Sequence, residues 1–285
     1  MEGIATVWRM KTILSIQSQV AGARVGNSVA AFAMERLGVR VLQLPTTILG
    51  RRPDRGAPGG GPMPKELLGS ILSGLDADGQ LAQVDAVLSG YLGDAAQTEI
   101  VLDAVDRVKS QNKDAVFVCD PVVGDSGKLF VSDAIADAVL NGLAPQADWL
   151  APNLFELSQI ASRPLDGVEA ARDAARRLGR PTLVSSVPND GQIGVLYASP
   201  GGDWLCETPL LPGVAKGAGD LLTALFVARR ILGEAPAVAL EGATGAVYDV
   251  IVQTLALEQS DLALPEAQEL LVHPRTWPQA RPLYG

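Results

Sequence analysis

A rhythm constrains this fold more than any other feature: short apolar runs alternate with longer amphipathic stretches along nearly the whole chain. "TILSIQS" reads as a strand and "VGNSVAAFAMERLG" as a helix ending at Gly38. "VRVLQLP" is a second strand, "PKELLGSILSGL" a helix opened by proline, "AVLSGYLG" a strand, and "DAAQTEIVLDAVDRVKSQN" an amphipathic helix. "AVFVCDPVVGD" is a strand that breaks at Pro121, "DWLAPN" is short and extended, and "LFELSQIAS" and "VEAARDAARRLG" are helical. "PTLVSS", "IGVLYAS" and "WLCETPL" read as late strands, partly antiparallel, and two helices follow, from about Gly219 and from about Pro236 towards Ser260. This alternation demands an α/β fold: a mostly parallel sheet with helices on both faces. Ligands in such folds sit beyond the carboxyl ends of the strands. That rule singles out Ser18, Tyr91, Asp120 with Pro121, and Asn153.

The bulk numbers bound the function. A chain of 285 residues, 47% hydrophobic and 19% charged, suits one α/β unit with a large core. A net charge of −9 repels phosphate backbones and anionic lipid, so neither nucleic acid nor membrane is an expected partner. No apolar run is long enough for a transmembrane helix. The start "MEGIATVWRMKT" lacks the apolar core of a signal peptide, so a cytoplasmic protein is expected. The two cysteines, Cys119 and Cys206, form no disulfide or zinc spacing, and the lone His273 argues against a histidine triad.

"GAGD", Gly217 to Asp220, opens an apolar helix. The first backbone N–H groups of a helix lack internal partners, and the dipole makes that end positive. With Gly217, Ala218 and Gly219 nothing large blocks an anion from those groups. The same dipole is expected to favour ionised Asp220 and lower its basicity. "CDPVVGD" adds Asp120 and Asp125, and "APNLFE" adds Asn153 and Glu156, at successive strand ends. Hard carboxylate oxygens converging there suit Mg²⁺, which binds through few carboxylates, waters and substrate phosphates. "PNLFE" also fits a helix cap closed by Asn153 and Glu156. No P-loop and no dinucleotide fingerprint is present.

The pieces "LSIQSQVAGARVGNSVAAFAMERLGV", "AVLSGYLGD", "VCDPVVGDSGKLFV", "APNLFEL", "GAGDLLTAL" and "GAVYDVIVQT" resemble the pyridoxal kinases of the ribokinase-like superfamily, over nearly the whole chain. The resemblance implies a ribokinase-like three-layer α/β/α domain over 1–285, with some antiparallel edge strands, an N-terminal extension over 1–10 and an active-site loop over 50–64. It implies ATP-dependent phosphorylation of the 5′-hydroxymethyl group of pyridoxal, and of pyridoxamine or pyridoxine, with Mg²⁺, a monovalent cation such as K⁺, and a homodimeric state. Asp220 is then the base, and the backbone N–H groups of Gly217, Ala218, Gly219 and Asp220 form the anion hole. Asp120 and Glu156 organise Mg²⁺, in part through water. Asn153, Ser185, Lys216, Gly217 and Gly219 serve ATP and its phosphates. Ser18, Val20, Thr46 and Tyr91 serve the substrate, with Tyr91 packed on the pyridine; Val25 adds wall area or core packing.

This chain departs from the pattern at two places. Gln19 stands where many relatives carry His. "LGRRPDRGAP" stands where relatives carry an aromatic segment, roughly "FSNHTxYG", that folds over the pyridine. The dense Gly, Pro and Arg of Gly50–Pro64 exclude a regular helix or central strand, leaving a mobile surface loop or a cover for a ligand. Arg51, Arg52 and Arg55 are then available to phosphates or to the phenolic oxygen of the substrate. Two alternatives stand beside pyridoxal kinase: a same-fold kinase for another hydroxymethyl heterocycle such as hydroxymethylpyrimidine, and a non-catalytic vitamer-binding protein.

Overall fold

The computed structural model describes residues 9–284, so most of the expected N-terminal extension lies outside the described residues. The chain begins with β1 (Thr12–Val20), α1 (Asn27–Arg36), β2 (Arg40–Leu49), β3 (Gly60–Pro62) and α2 (Lys65–Ala77). It continues through β4 (Ala86–Ser89), α3 (Gln97–Gln111), β5 (Val116–Cys119), β6 (Gly124–Asp125), β7 (Lys128–Leu129) and α4 (Asp133–Asp137). Then come β8 (Trp149–Leu150), α5 (Leu154–Ile160), α6 (Gly167–Arg177), β9 (Thr182–Asn189), β10 (Gln192–Ser199) and β11 (Gly202–Pro209). The last elements are α7 (Ala218–Ile231), α8 (Pro236–Ala256), α9 (Gln268–Val272) and β12 (Arg281–Pro282).

Ten strands form one sheet in the order β12-β11-β10-β9-β8-β5-β4-β1-β2-β3. The strands from β2 to β9 in that order pair in parallel. The outer strands β10, β11, β12 and β3 pair antiparallel. Buried apolar side chains fill both faces. One core joins the sheet to α1, α7, α8 and α9, and the other joins it to α2, α3 and the segment after α4. A third cluster seats α5 and α6 on the antiparallel strands. The result is three layers, α/β/α, as the alternation demands.

β1 crosses the core with Ile13, Leu14 and Ile16 buried on both faces, as parallel strands are, and with Ser15 buried among them. Its neighbours are β2 on one side and β4 on the other, so the strand order reverses at β1. A reversal of this kind leaves a crevice outside the strand ends. No helix among the described residues is long and apolar enough to cross a membrane. The Pro-rich tail packs: β12 pairs with β11, and the buried Arg172 donates to Leu283 O at 2.9 Å and to Asp203 Oδ2 at 2.7 Å.

Candidate active site

At the end of β1 the pairing with β2 slips. Gln17 faces Pro45 and Gln19 faces Ile48, so Ser18 stands opposite both Thr46 and Thr47. Such a bulge bends a strand and re-aims its side chains. Ser18 is buried at this bend, and Tyr91 follows the end of β4 on the other side of β1, half-buried, its phenol pKa raised by burial. Two expectations change here. Thr46 is fully enclosed and its Oγ1 donates to Tyr91 O at 2.7 Å, so it braces the Tyr91 turn and offers no hydroxyl to a ligand. Val20 is buried in a small apolar cluster with Ala23 and Leu49, against which Val25 packs, so both valines serve as core. Gln19 donates from Nε2 to Ser28 Oγ at 3.0 Å.

The start of α7 carries the anion-hole expectation. Gly217 is its N-cap with φ 96°, a left-handed conformation that favours glycine, and a Cβ there would overlap Arg24 O. Gly219 differs: no atom lies within 4 Å of where its Cβ would be, so space is open in front of the helix. Asp220 sits in the first turn, and its Oδ2 accepts a hydrogen bond from Gly26 N at 2.9 Å. Burial raises the Asp220 pKa above the usual carboxylate value, against the lowering effect of the Gly26 bond. That is the reverse of the direction expected from the dipole, and it makes Asp220 a better proton acceptor.

Two more carboxylates lie nearby. Asp120, beyond β5, is buried and accepts a 2.8 Å bond from Thr223 Oγ1 of α7. Its pKa is raised well above the usual value by burial, then by the charges of Glu156 and Asp220. Glu156 closes the cap of α5: Asn153 Oδ1 accepts from Glu156 N, and Glu156 Oε2 accepts from Asn153 N, both at 2.9 Å. Its Oε1 accepts from Val123 N at 3.0 Å, and burial pushes its pKa to about 8 despite these bonds. The cap reading of Asn153 and Glu156 is thus met, with both side chains held at the strand ends. Lys216 lies 3.4 Å from Asp125 Oδ2 with more than half of its side chain exposed, so in this structure it pairs with a carboxylate.

Crowded, buried carboxylates with a threonine hydroxyl as the bond to Asp120 are a donor set that favours a hard cation. Among the described residues no cage of three or more His, Cys, Asp or Glu exists. This fits Mg²⁺ held through one or two carboxylates, waters and phosphates better than a fully protein-built site.

Beside Gly219 opens a cleft between β9, β10 and α8. Its walls are apolar, from Ile193, Val195, Leu210, Val247 and Ile251, and its lining carries no charged side chain. Ser185 lies at its rim and bridges to Asn153. A second bulge sets this rim: Val184 pairs with Leu196 and Val187 with Gly194, so Ser185 and Ser186 oppose Val195. Ser186 takes φ 61° there.

The Gly50–Pro64 loop is a short turn followed by β3, folded back on β2. Two of its arginines are tied to another part of the chain, while Arg51 is exposed and bonded only through Nε. Arg52 and Arg55 both bind Asp261, at 3.1 and 2.8 Å; Arg55 also donates to Ser260 O, and Arg51 donates to Ala57 O. For Arg52 and Arg55 the expectation that they face phosphates or a phenolic oxygen gives way, because carboxylates and a carbonyl of the same chain use their donors.

Sequence reading did not single out Thr223, Gly26 or the cleft residues of α8. Thr223 was findable, since three residues after Asp220 is the same helix face. Gly26 gives no such signal, because it contributes a backbone N–H from a point 194 residues away.

Residues 33–264 match the family model described as phosphomethylpyrimidine kinase. The pyridoxal kinase PdxY of Rubrobacter xylanophilus is 39% identical over 272 residues, 92% of this chain and 94% of the relative. That of Leifsonia xyli subsp. xyli is 38% identical over 272 residues, 92% of this chain and 96% of the relative. Among solved structures, pyridoxal kinase from Leishmania donovani in complex with ADP and pyridoxamine superposes with a TM-score of 0.90 at 26% identity, covering 96% of this chain and 100% of that one.

Proposed function

We propose that this chain, which belongs to the phosphomethylpyrimidine kinase family and to its pyridoxal kinase branch, transfers the γ-phosphoryl group of ATP to the 5′-hydroxymethyl group of pyridoxal, yielding pyridoxal 5′-phosphate. The observation that carries this reading is the start of α7. A carboxylate with raised basicity stands beside open helix N–H groups, between a polar strand-end crevice and an apolar cleft.

In this reading the cleft takes the base of the nucleotide, and its phosphates run towards Gly219. The N–H groups of Ala218, Gly219 and Asp220 meet the charge that develops on the transferring phosphoryl group, usually the largest catalytic contribution. Asp220 orients the acceptor hydroxyl and takes its proton late, as the oxygen bonds to a loose, metaphosphate-like phosphorus. Asp120 and Glu156 would hold Mg²⁺, which supplies positive charge to the phosphate oxygens. Ser18 and Tyr91 hold the pyridine ring. Lys216 would leave Asp125 to meet phosphate. Pyridoxamine and pyridoxine share the reacting group and belong to the same substrate class. The single ten-stranded sheet supports one kinase domain over 1–285. ATP use and two buried free cysteines fit a cytoplasmic setting. A homodimer and a monovalent cation such as K⁺ rest on the resemblance alone.

The loop favours a second reading, a kinase for hydroxymethylpyrimidine, because the aromatic cover expected over a pyridine is replaced by Arg52 and Arg55 tied to Asp261. One panel decides: pyridoxal, pyridoxine, pyridoxamine and hydroxymethylpyrimidine under identical ATP and Mg²⁺. We expect pyridoxal to give the highest kcat/KM. A clear preference for the pyrimidine would replace the first reading, and tight pyridoxal 5′-phosphate binding without turnover would replace both with a vitamer-binding protein.

A further inference from the structure

We propose that Asn27 is a positioning residue for the transfer step: it fixes the Gly26 peptide, whose N–H holds the Asp220 carboxylate. This rests on the reading of Asp220 as the group that orients and deprotonates the acceptor hydroxyl.

Asn27 is the first residue of α1 and is 2% exposed. Both ends of its amide are engaged by β1. Oδ1 accepts from Ser15 Oγ at 2.7 Å, and Nδ2 donates to Gln17 O at 3.1 Å. Ser15 Oγ in turn accepts from Gln17 Nε2 at 2.8 Å. Two of these polar side chains, Ser15 and Gln17, lie in a strand whose neighbouring core residues Ile13, Leu14 and Ile16 are apolar, and the third, Asn27, reaches them from α1. Burying polar groups there costs desolvation and is tolerated only when each is bonded, and a bonded buried network fixes one geometry. Apolar side chains would fill the same space, so packing alone does not account for the network.

What the network holds is the adjoining peptide. Gly26 has φ 56° and ψ −136°, a conformation that side-chain-bearing residues rarely adopt, and a Cβ there would overlap Ser18 O. A strained peptide persists only where its surroundings over-determine it. On one side Gly26 abuts Ser18, the ring contact; on the other its N–H reaches Asp220 at 2.9 Å. The two Asn27 bonds lock this peptide to β1. The ring contact and the proton acceptor are thereby referenced to a single strand end, although Asp220 itself belongs to α7.

The test is a double-mutant cycle with Asn27→Ala and Asp220→Asn, read by steady-state kinetics under ATP, Mg²⁺ and pyridoxal with each substrate varied to saturation. Asn27→Ala should lower kcat roughly 10–100-fold, the scale of a small misplacement of a reacting group, with both KM values within about 3-fold of the parent. In the Asp220→Asn background it should cost no more than about 2-fold, because the group it positions is gone. An equal loss in both backgrounds, or a rise in KM with kcat retained, would overturn the proposal. Should Asn27→Ala fail to fold by circular dichroism, Ser15→Ala removes the bond to Oδ1 together with the one Gln17 Nε2 makes to Ser15, leaves the Asn27 bond to Gln17 O in place, and should give a smaller loss that is likewise absent in Asp220→Asn; an additive loss would again overturn it. If Asp220→Asn alone kept parental kcat, the reading of Asp220 would fall first, an outcome distinct from additivity.

Discussion

Two glycines two residues apart at the start of α7 carry different loads. Gly217 is held by its φ of 96° and by Arg24 O, so Gly217→Ala should strain the turn by about 1–3 kcal/mol and lower the melting temperature. Gly219 meets nothing, so Gly219→Ala should fold normally by thermal melting and still lose turnover, because its methyl enters the space left for phosphate. Asp220→Asn should lower kcat roughly 10²–10⁴-fold in a steady-state kinase assay. Glu156 gives a pH prediction. Its pKa rises from 4.5 to about 8 on folding, so the folded chain binds that proton more tightly than the unfolded chain. Stability of the ligand-free protein should therefore fall as pH rises from about 4.5 to about 8, by at most about 1.4 kcal/mol per pH unit for this proton. Glu156→Gln should flatten that slope in thermal melts across pH; an unchanged slope would assign the effect elsewhere. The small residues of "GAGD" made this helix start legible, because an absence of side chains is itself a pattern. Thr46 was misread because the spacing along β2 does not tell which hydroxyl points to a ligand and which braces a turn.

At the scale of elements, the strands that pair in parallel were legible as apolar runs, since burial on both faces leaves no alternation to interpret. The late strands were legible as strands, in part antiparallel, and β9, β10 and β11 do pair antiparallel. The segment from α4 to Gln146 was not: Gly142 and Pro145 interrupt its period, and it folds as α4, then a π-helical stretch over Ala138–Leu143 and a 3₁₀ turn. The two bulges were invisible too, because register slips arise between strands and not within one. Yet both fall at the site, behind Ser18 and behind Ser185. A similar link between elements joins Thr223 of α7 to Asp120 beyond β5. Thr223→Val keeps the volume and deletes the hydroxyl, leaving Asp120 buried without that donor. The cost should be about 1–3 kcal/mol of folding stability, read as a lower melting temperature, and the variant should also show a higher Mg²⁺ requirement with little change in KM for pyridoxal.

Across the whole molecule, the sheet order places distant parts of the sequence side by side. The loop after β2 and the segment after α8 meet at Asp261, and the next residue, Leu262, approaches Gly217 at the anion-hole turn. Such partly exposed ion pairs contribute little to stability, so Asp261→Ala should leave the melting temperature within a few degrees of the parent. Its effect belongs to the loop, and the expected reading is a raised KM for pyridoxal with the KM for ATP unchanged. The same contact has a consequence in cleavage chemistry. Trypsin must draw an arginine side chain into its own pocket, and it cuts poorly before proline, which spares the Arg52–Pro53 bond. The Arg55–Gly56 bond is open to it only when the Arg55 guanidinium leaves Asp261 and Ser260. When opening and closing are fast relative to cleavage, the nicking rate follows the fraction of time a segment spends open. A protease thus reads the loop's open population directly, with no turnover needed.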